Sequence, residues 1–141
     1  MAGVYQISNK EKKIDELIKQ FKLEEILNKR TKTLSGGWQR RLSIAISLIN
    51  NPKILFLDEP TLGLDVIARK ELWKVINELK GKITIILTTH YMEEAESLSD
   101  RIGIMANGKL VDVGTSEDLI KKTKTNNFED AFVSIATGGK L

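Results

Sequence analysis

The sequence contains no cysteine, which excludes a disulfide framework and a thiolate metal site. Its single histidine, His90, leaves no histidine-based metal cluster either. Long apolar runs are missing too. The strongest are Ile54–Leu57 and Ile83–Leu87, far short of the roughly 20 residues that a membrane-spanning helix needs. Met1–Ser8 has neither the charged start nor the apolar stretch of a secretory signal, so the chain is expected to be intracellular. Any membrane link is then expected to come through a partner. There is no dense Lys/Arg block of the kind that marks nucleic-acid binding, and no nucleic-acid partner is expected. The net charge is only +3, which reads as a solvated surface with a modest lysine excess.

What is present fits one soluble domain. The 141 residues are 41% hydrophobic and 29% charged, which argues against disorder. Ser8-Asn9-Lys10-Glu11 has the form of a capping box, and Ile14, Leu17, Ile18 and Phe21 follow at helical spacing. Leu23–Leu27 adds a short helical piece, and Arg30–Thr33 reads as a linker. A second helix opens at Ser35-Gly36-Gly37 and runs to about Asn50, with Leu42, Ala45, Ile46 and Ile49 on its apolar face. Ile54–Leu57 has no alternation, which predicts a strand covered on both faces in a parallel sheet. Pro60 closes it, because proline cannot donate to a ladder. Leu72, Val75, Ile76 and Leu79 predict a helix before Gly81, and Ile83–Thr88 predicts a second strand ending at His90. Met92–Leu98 is expected to be a short acidic helix. Ile102–Ala106, Asn107-Gly108 and Lys109–Val113 predict a hairpin, since Asn-Gly tolerates the positive φ values of a tight turn. Short helices at Thr115–Lys122 and Phe128–Ile135 complete an α/β pattern.

Three places can carry chemistry. Ser35 can cap the helix that starts there, and Gly36 and Gly37 allow another molecule to approach the backbone, which suits an anion. Asp58 and Glu59 stand at the carboxyl end of a strand, where open α/β sheets bind ligands. Neighbouring strand residues point to opposite sides, so one carboxylate can face a Mg²⁺ shell and the other a water. His90 ends the neighbouring strand and can reach the same edge.

Together these residues resemble the ATPase domain of the ABC superfamily, from about Ser8 to Thr115. Leu34–Arg41 resembles the signature motif, with Trp38 before Gln39 where the family usually places glutamine first. Ile54–Pro60 resembles the Walker B strand, Thr61–Asp65 the D-loop, and Thr88-Thr89-His90 the switch histidine. The resemblance implies a RecA-like P-loop NTPase core with a helical subdomain. It implies ATP and Mg²⁺ as cofactors. Asp58 would hold Mg²⁺ through its water shell, Glu59 would polarise the attacking water, and His90 would contact the γ-phosphate. Ser35, Gly36, Gly37 and Gln39 would serve an ATP held mainly by a second ATPase domain in a head-to-tail dimer, and Asp65 would bridge the two.

The resemblance further implies a division into residues 1–50 (helical subdomain part), 51–115 (catalytic core part) and 116–141 (helical tail). A transmembrane permease is the implied partner, and the inner face of the cell membrane the implied location. Tyr91–Ala95 and Phe128–Phe132 resemble drug- and ABC-2-type exporters. No Gly-x-x-x-x-Gly-Lys-Ser/Thr stretch occurs, and Gln6 lies too close to Leu34 to be the family's Q-loop glutamine. The chain is therefore expected to be part of a larger ATPase and inactive alone, with an open apolar edge at Ile83–Leu87. Two alternatives stand beside an export ATPase. One is a non-transport ABC ATPase acting on DNA or ribosomes. The other is a catalytically silent module that donates only signature contacts.

Overall fold

The computed structural model describes residues 10–139; Gln6 and the Ser8 end of the expected capping box lie outside them. The chain forms two compact units, one up to Thr88 and one from Thr89 onward. No helix among the described residues is long and apolar enough to cross a membrane.

The first unit opens with α1 (Lys10–Gln20), followed by single 3-10 turns at Leu23–Ile26 and Thr31–Thr33. Helix α2 (Gly36–Ser47), strand β1 (Ile54–Asp58), helix α3 (Val66–Leu79) and strand β2 (Thr84–Thr88) follow. β1 and β2 pair in parallel, Ile54 opposite Thr84 and Asp58 opposite Thr88. The parallel pairing is the one expected from the sequence; cover on both faces is not found. Leu55 and Leu57 are buried, whereas Phe56 is 71% exposed and Ile54 is exposed beside it. In this register Phe56 lies next to Ile86, also exposed, so the outer face of the strand pair leaves Ile54, Phe56 and Ile86 bare beside Thr84, Thr88 and Asp58.

The packing of α2 also departs from expectation. Its buried positions are Arg41, Ile44, Ala45, Leu48 and Ile49, while Leu42 is half-buried and Ile46 exposed. The cause is a second neighbour. Arg41 ion-pairs with Glu71 of α3, which draws the Arg41–Ile44–Leu48 side inward. Of the expected face, Ala45 and Ile49 are buried as expected, and with Leu42 and Ile46 they line an open groove of about 370 Å³ against α1 and Leu23–Ile26.

The second unit contains α4 (Met92–Leu98), β3 (Ile102–Ala106), β4 (Lys109–Gly114), α5 (Ser116–Thr123) and α6 (Phe128–Thr137). β3 and β4 form an antiparallel hairpin. Asn107 and Gly108 both have positive φ (50° and 73°), the geometry that matches strand twist in a two-residue turn. A bulge sits between Ile104 and Met105. Ala95, Ile102, Ile104, Leu119 and Phe128 close a small core. Asn127 and Thr115 cap α6 and α5 with side-chain bonds to the third following N–H. Lys122 beside Asp112 holds that carboxyl below its ordinary value.

Candidate functional site

Parallel pairing puts the ends of β1 and β2 on one edge, and that edge is tied together by the residues expected to do chemistry. The Thr88 hydroxyl donates to Asp58 Oδ1. The Glu59 N–H donates to the Thr88 carbonyl at 3.0 Å. Glu59 itself has φ 45°, a left-handed backbone that is uncommon outside glycine, asparagine and aspartate. The chain therefore leaves the strand at Glu59, and the simple alternation expected for Asp58 and Glu59 ends there. Tight turns follow: Leu62 N–H bonds the Glu59 carbonyl at 3.2 Å, and Leu64 N–H bonds the Thr61 carbonyl at 3.1 Å. Asp65 then caps α3, its Oδ1 accepting from the N–H groups of Ile67 at 2.9 Å and Ala68 at 3.0 Å. Asp65 thus has a task inside this chain, beside any it has towards a second one.

Ser35 occupies the cap position of α2 by its extended backbone, but its side chain makes no cap hydrogen bond. Ser35 and Gly36 are exposed. Gln39 bends back to donate its side-chain N–H to the Leu34 carbonyl at 3.0 Å, which pins the loop entering the helix. The two glycines have a partner of their own. A Cβ on Gly36 would lie 3.3 Å from Leu64 Cδ2, and one on Gly37 would lie 3.2 Å from Ala68 Cβ. The close approach that glycine permits here is used by Leu64, in the turn before α3, and by Ala68 in its first turn. Trp38 packs under the Arg41 guanidinium, 4.9 Å from the ring centroid.

His90 belongs to the second unit. Its exposed ring stacks at a tilt on Tyr91, with centroids 4.2 Å apart. Thr89 Oγ1 accepts from the Tyr91 N–H at 3.0 Å, and the Tyr91 carbonyl receives the first helical bonds of α4. His90 therefore stands on the short turn that launches a helix, two residues after the end of β2.

The family described as ABC transporter matches residues 3–62. ABC transporter A family member 2 of Arabidopsis thaliana is 53% identical over 103 residues, 73% of this chain and 10% of that protein. ABC transporter A family member 7 of Dictyostelium discoideum is 50% identical over 106 residues, 75% of this chain and 13% of that protein. A solved ATP-binding subunit of an ABC transporter superposes with a TM-score of 0.77 at 29% identity, over 95% of this chain and 58% of the solved one. The chain belongs to the ABC transporter nucleotide-binding domains. It spans about a tenth of the length of these curated relatives and 58% of the solved chain.

The carboxyl edge of this nucleotide-binding domain suits a hard cation. Asp58 is exposed and offers Oδ2 while Thr88 orients Oδ1, and one carboxylate plus waters is a common way to hold Mg²⁺. Among the described residues no group of three or more acids and histidines assembles into a complete metal cage. Sequence reasoning missed several residues. Leu64 and Ala68 pack closely against Gly36 and Gly37. Thr61 is 1% exposed, and its Oγ1 meets no hydrogen-bond partner among the described residues. Thr88 enters the sequence reading as a strand end and as part of the switch motif, with no link to Asp58, yet it orients that carboxylate. The N-cap role of Asp65 was the one visible signal, an aspartate standing directly before an apolar helix.

Proposed function

We propose that the chain carries the signature, Walker B, D-loop and switch elements of an ATPase that powers an ABC transporter. The observation behind this reading is the carboxyl edge, where Asp58 and Glu59 are tied to Thr88 at the ends of two parallel strands. Asp58 holds the water shell of Mg²⁺. Bound Mg²⁺ supplies neutralisation of the phosphate charge. Glu59 orients and polarises the attacking water, its direction set by the left-handed backbone. His90 contacts the γ-phosphate from the turn before α4. The free N–H groups of α2 at Ser35, Gly36 and Gly37 face the γ-phosphate of an ATP held by a second ATPase domain, head to tail. Gln39 steadies that loop, and Asp65 adds a bridge to the second domain.

Residues 1–50, 51–115 and 116–141 divide the work as helical subdomain, catalytic core and tail. A transmembrane permease receives the motion at the inner face of the membrane, and Tyr91–Ala95 supports export as its direction. A second reading is a silent module that donates only signature contacts.

Glu59→Gln in the assembled transporter separates the two. The amide keeps the shape and loses the charge, so turnover should fall by about 100-fold or more while ATP binding stays within about twofold. Turnover within a few-fold of the parent rules out Glu59 as the catalytic carboxylate and leaves the silent module.

A further inference from the structure

The opposite edge of the same strand pair holds a second feature. Lys53 stands directly before β1, and Lys82 and Ile83 stand directly before β2. Lys53 on this amino edge is about 17 Å from Asp58 along the strand, at about 3.3 Å per residue. There the loops and α1 enclose a pocket of about 330 Å³. Lys13, Lys53 and Lys82 line it, Asn51 and Gln20 add side-chain amides, and no aspartate or glutamate contributes. The floor is apolar, with Leu17 and Leu79 fully buried beneath it.

None of the three lysines is paired with a carboxylate among the described residues, whereas Lys121 and Lys122 in the second unit both are. Three like charges around one concavity repel each other, and an anion placed between them relieves that repulsion. The walls are held before any ligand arrives. Thr84 N–H bonds the Lys53 carbonyl at 3.0 Å, joining the two loops. Asn51 N–H and Lys82 N–H bond the Leu48 and Leu79 carbonyls, each at 3.1 Å. Asn51 takes a left-handed turn with φ 47°. Lys13, Leu17 and Gln20 share one face of α1, and Lys13 and Gln20 are half-buried.

We propose that this pocket binds the phosphoryl group of a small phosphorylated ligand, with Lys13, Lys53 and Lys82 supplying charge and Asn51 and Gln20 neutral donors. Lysine binds phosphate as a point charge, so the site selects charge and size more than orientation. The volume exceeds that of a phosphate, and the apolar floor takes the organic part to which it is attached. A free phosphate ester and a phospholipid headgroup offer the same chemistry.

The test is an amide NMR titration of the 141-residue chain with inorganic pyrophosphate at low ionic strength. Saturable shifts are expected at Asn51, Lys53, Lys82 and the Lys13 turn, fading at high salt. Lys53→Gln with Lys82→Gln should weaken binding about fivefold to tenfold. A charge-matched control, Lys19→Gln with Lys32→Gln, should stay within about twofold. All four lysines are exposed, so the variants are expected to keep the parent amide pattern. Flotation with phosphatidylcholine vesicles, with and without phosphatidic acid, assigns the source: capture by the acidic vesicles indicates a headgroup, and its absence a free ester. Shifts that never saturate, or an equal loss of affinity in the control, overturn the proposal.

Discussion

The two strand pairs of this chain solve the same problem in different ways. The parallel pair β1–β2 buries Leu55 and Leu57 on one face and leaves Phe56 and Ile86 bare on the other. The antiparallel pair β3–β4 turns within two residues and closes its inner face with α4, α5 and α6, leaving Ile104 only 1% exposed. A parallel pair needs a crossover to form and cover on both sides to be satisfied. A hairpin needs only its turn and one cover. The proposed chemistry is assigned to the pair that depends on distant chain, where strand ends converge. The self-contained core sits around the hairpin.

The largest expected effect comes from breaking the closed side. Ile104→Ala removes a fully buried side chain from the second core and should cost about 2–5 kcal/mol. Hydrogen exchange should show the loss in residues 89–139 with β1–β2 protected as before; equal loss in both would show that the units melt together. Gly37→Val probes the seam between α2 and α3. It drives a branched side chain toward the Ala68 Cβ, which a Cβ alone already meets at 3.2 Å, so overpacking should cost about 1–3 kcal/mol in chemical denaturation. An unchanged midpoint would mean that the seam is loose. The smallest effect belongs to the bare face. Phe56→Ser removes a larger side chain than Ile104→Ala does, yet it should change stability by no more than about 0.5 kcal/mol, because the ring is already in water. Sedimentation should instead show less self-association than in the parent, since bare apolar faces and open strand edges recruit other chains. If Phe56→Ser destabilises like a core change, the face is covered in solution.

Much of this was legible beforehand, for local reasons. The helical spacing of Ile14, Leu17 and Ile18, the Asn107-Gly108 turn and the acids after Ile54–Leu57 each act over a few residues. What was misread depends on contacts across long separations. Periodicity alone places Leu42 and Ile46 on the inner face of α2 beside Ala45 and Ile49, and gives no sign that Arg41, paired with Glu71 30 residues away, is buried while Ile46 is exposed. The run Ile54–Leu57 is apolar throughout, so nothing local distinguishes its buried members from its exposed ones.

The sequence by itself determined the element order, the edge on which Asp58 and Glu59 stand, and the family, because periodicity and motif spacing are properties of neighbouring residues. Only the tertiary structure decided how those residues are held. The left-handed Glu59, the Thr88 hydroxyl on Asp58, the seam of Gly36 and Gly37 against Leu64 and Ala68, and the three lysines gathered at the far edge all arise when separate segments meet. Distance along the chain hides such meetings; folding makes them, because each segment has an apolar face that it must bury against another.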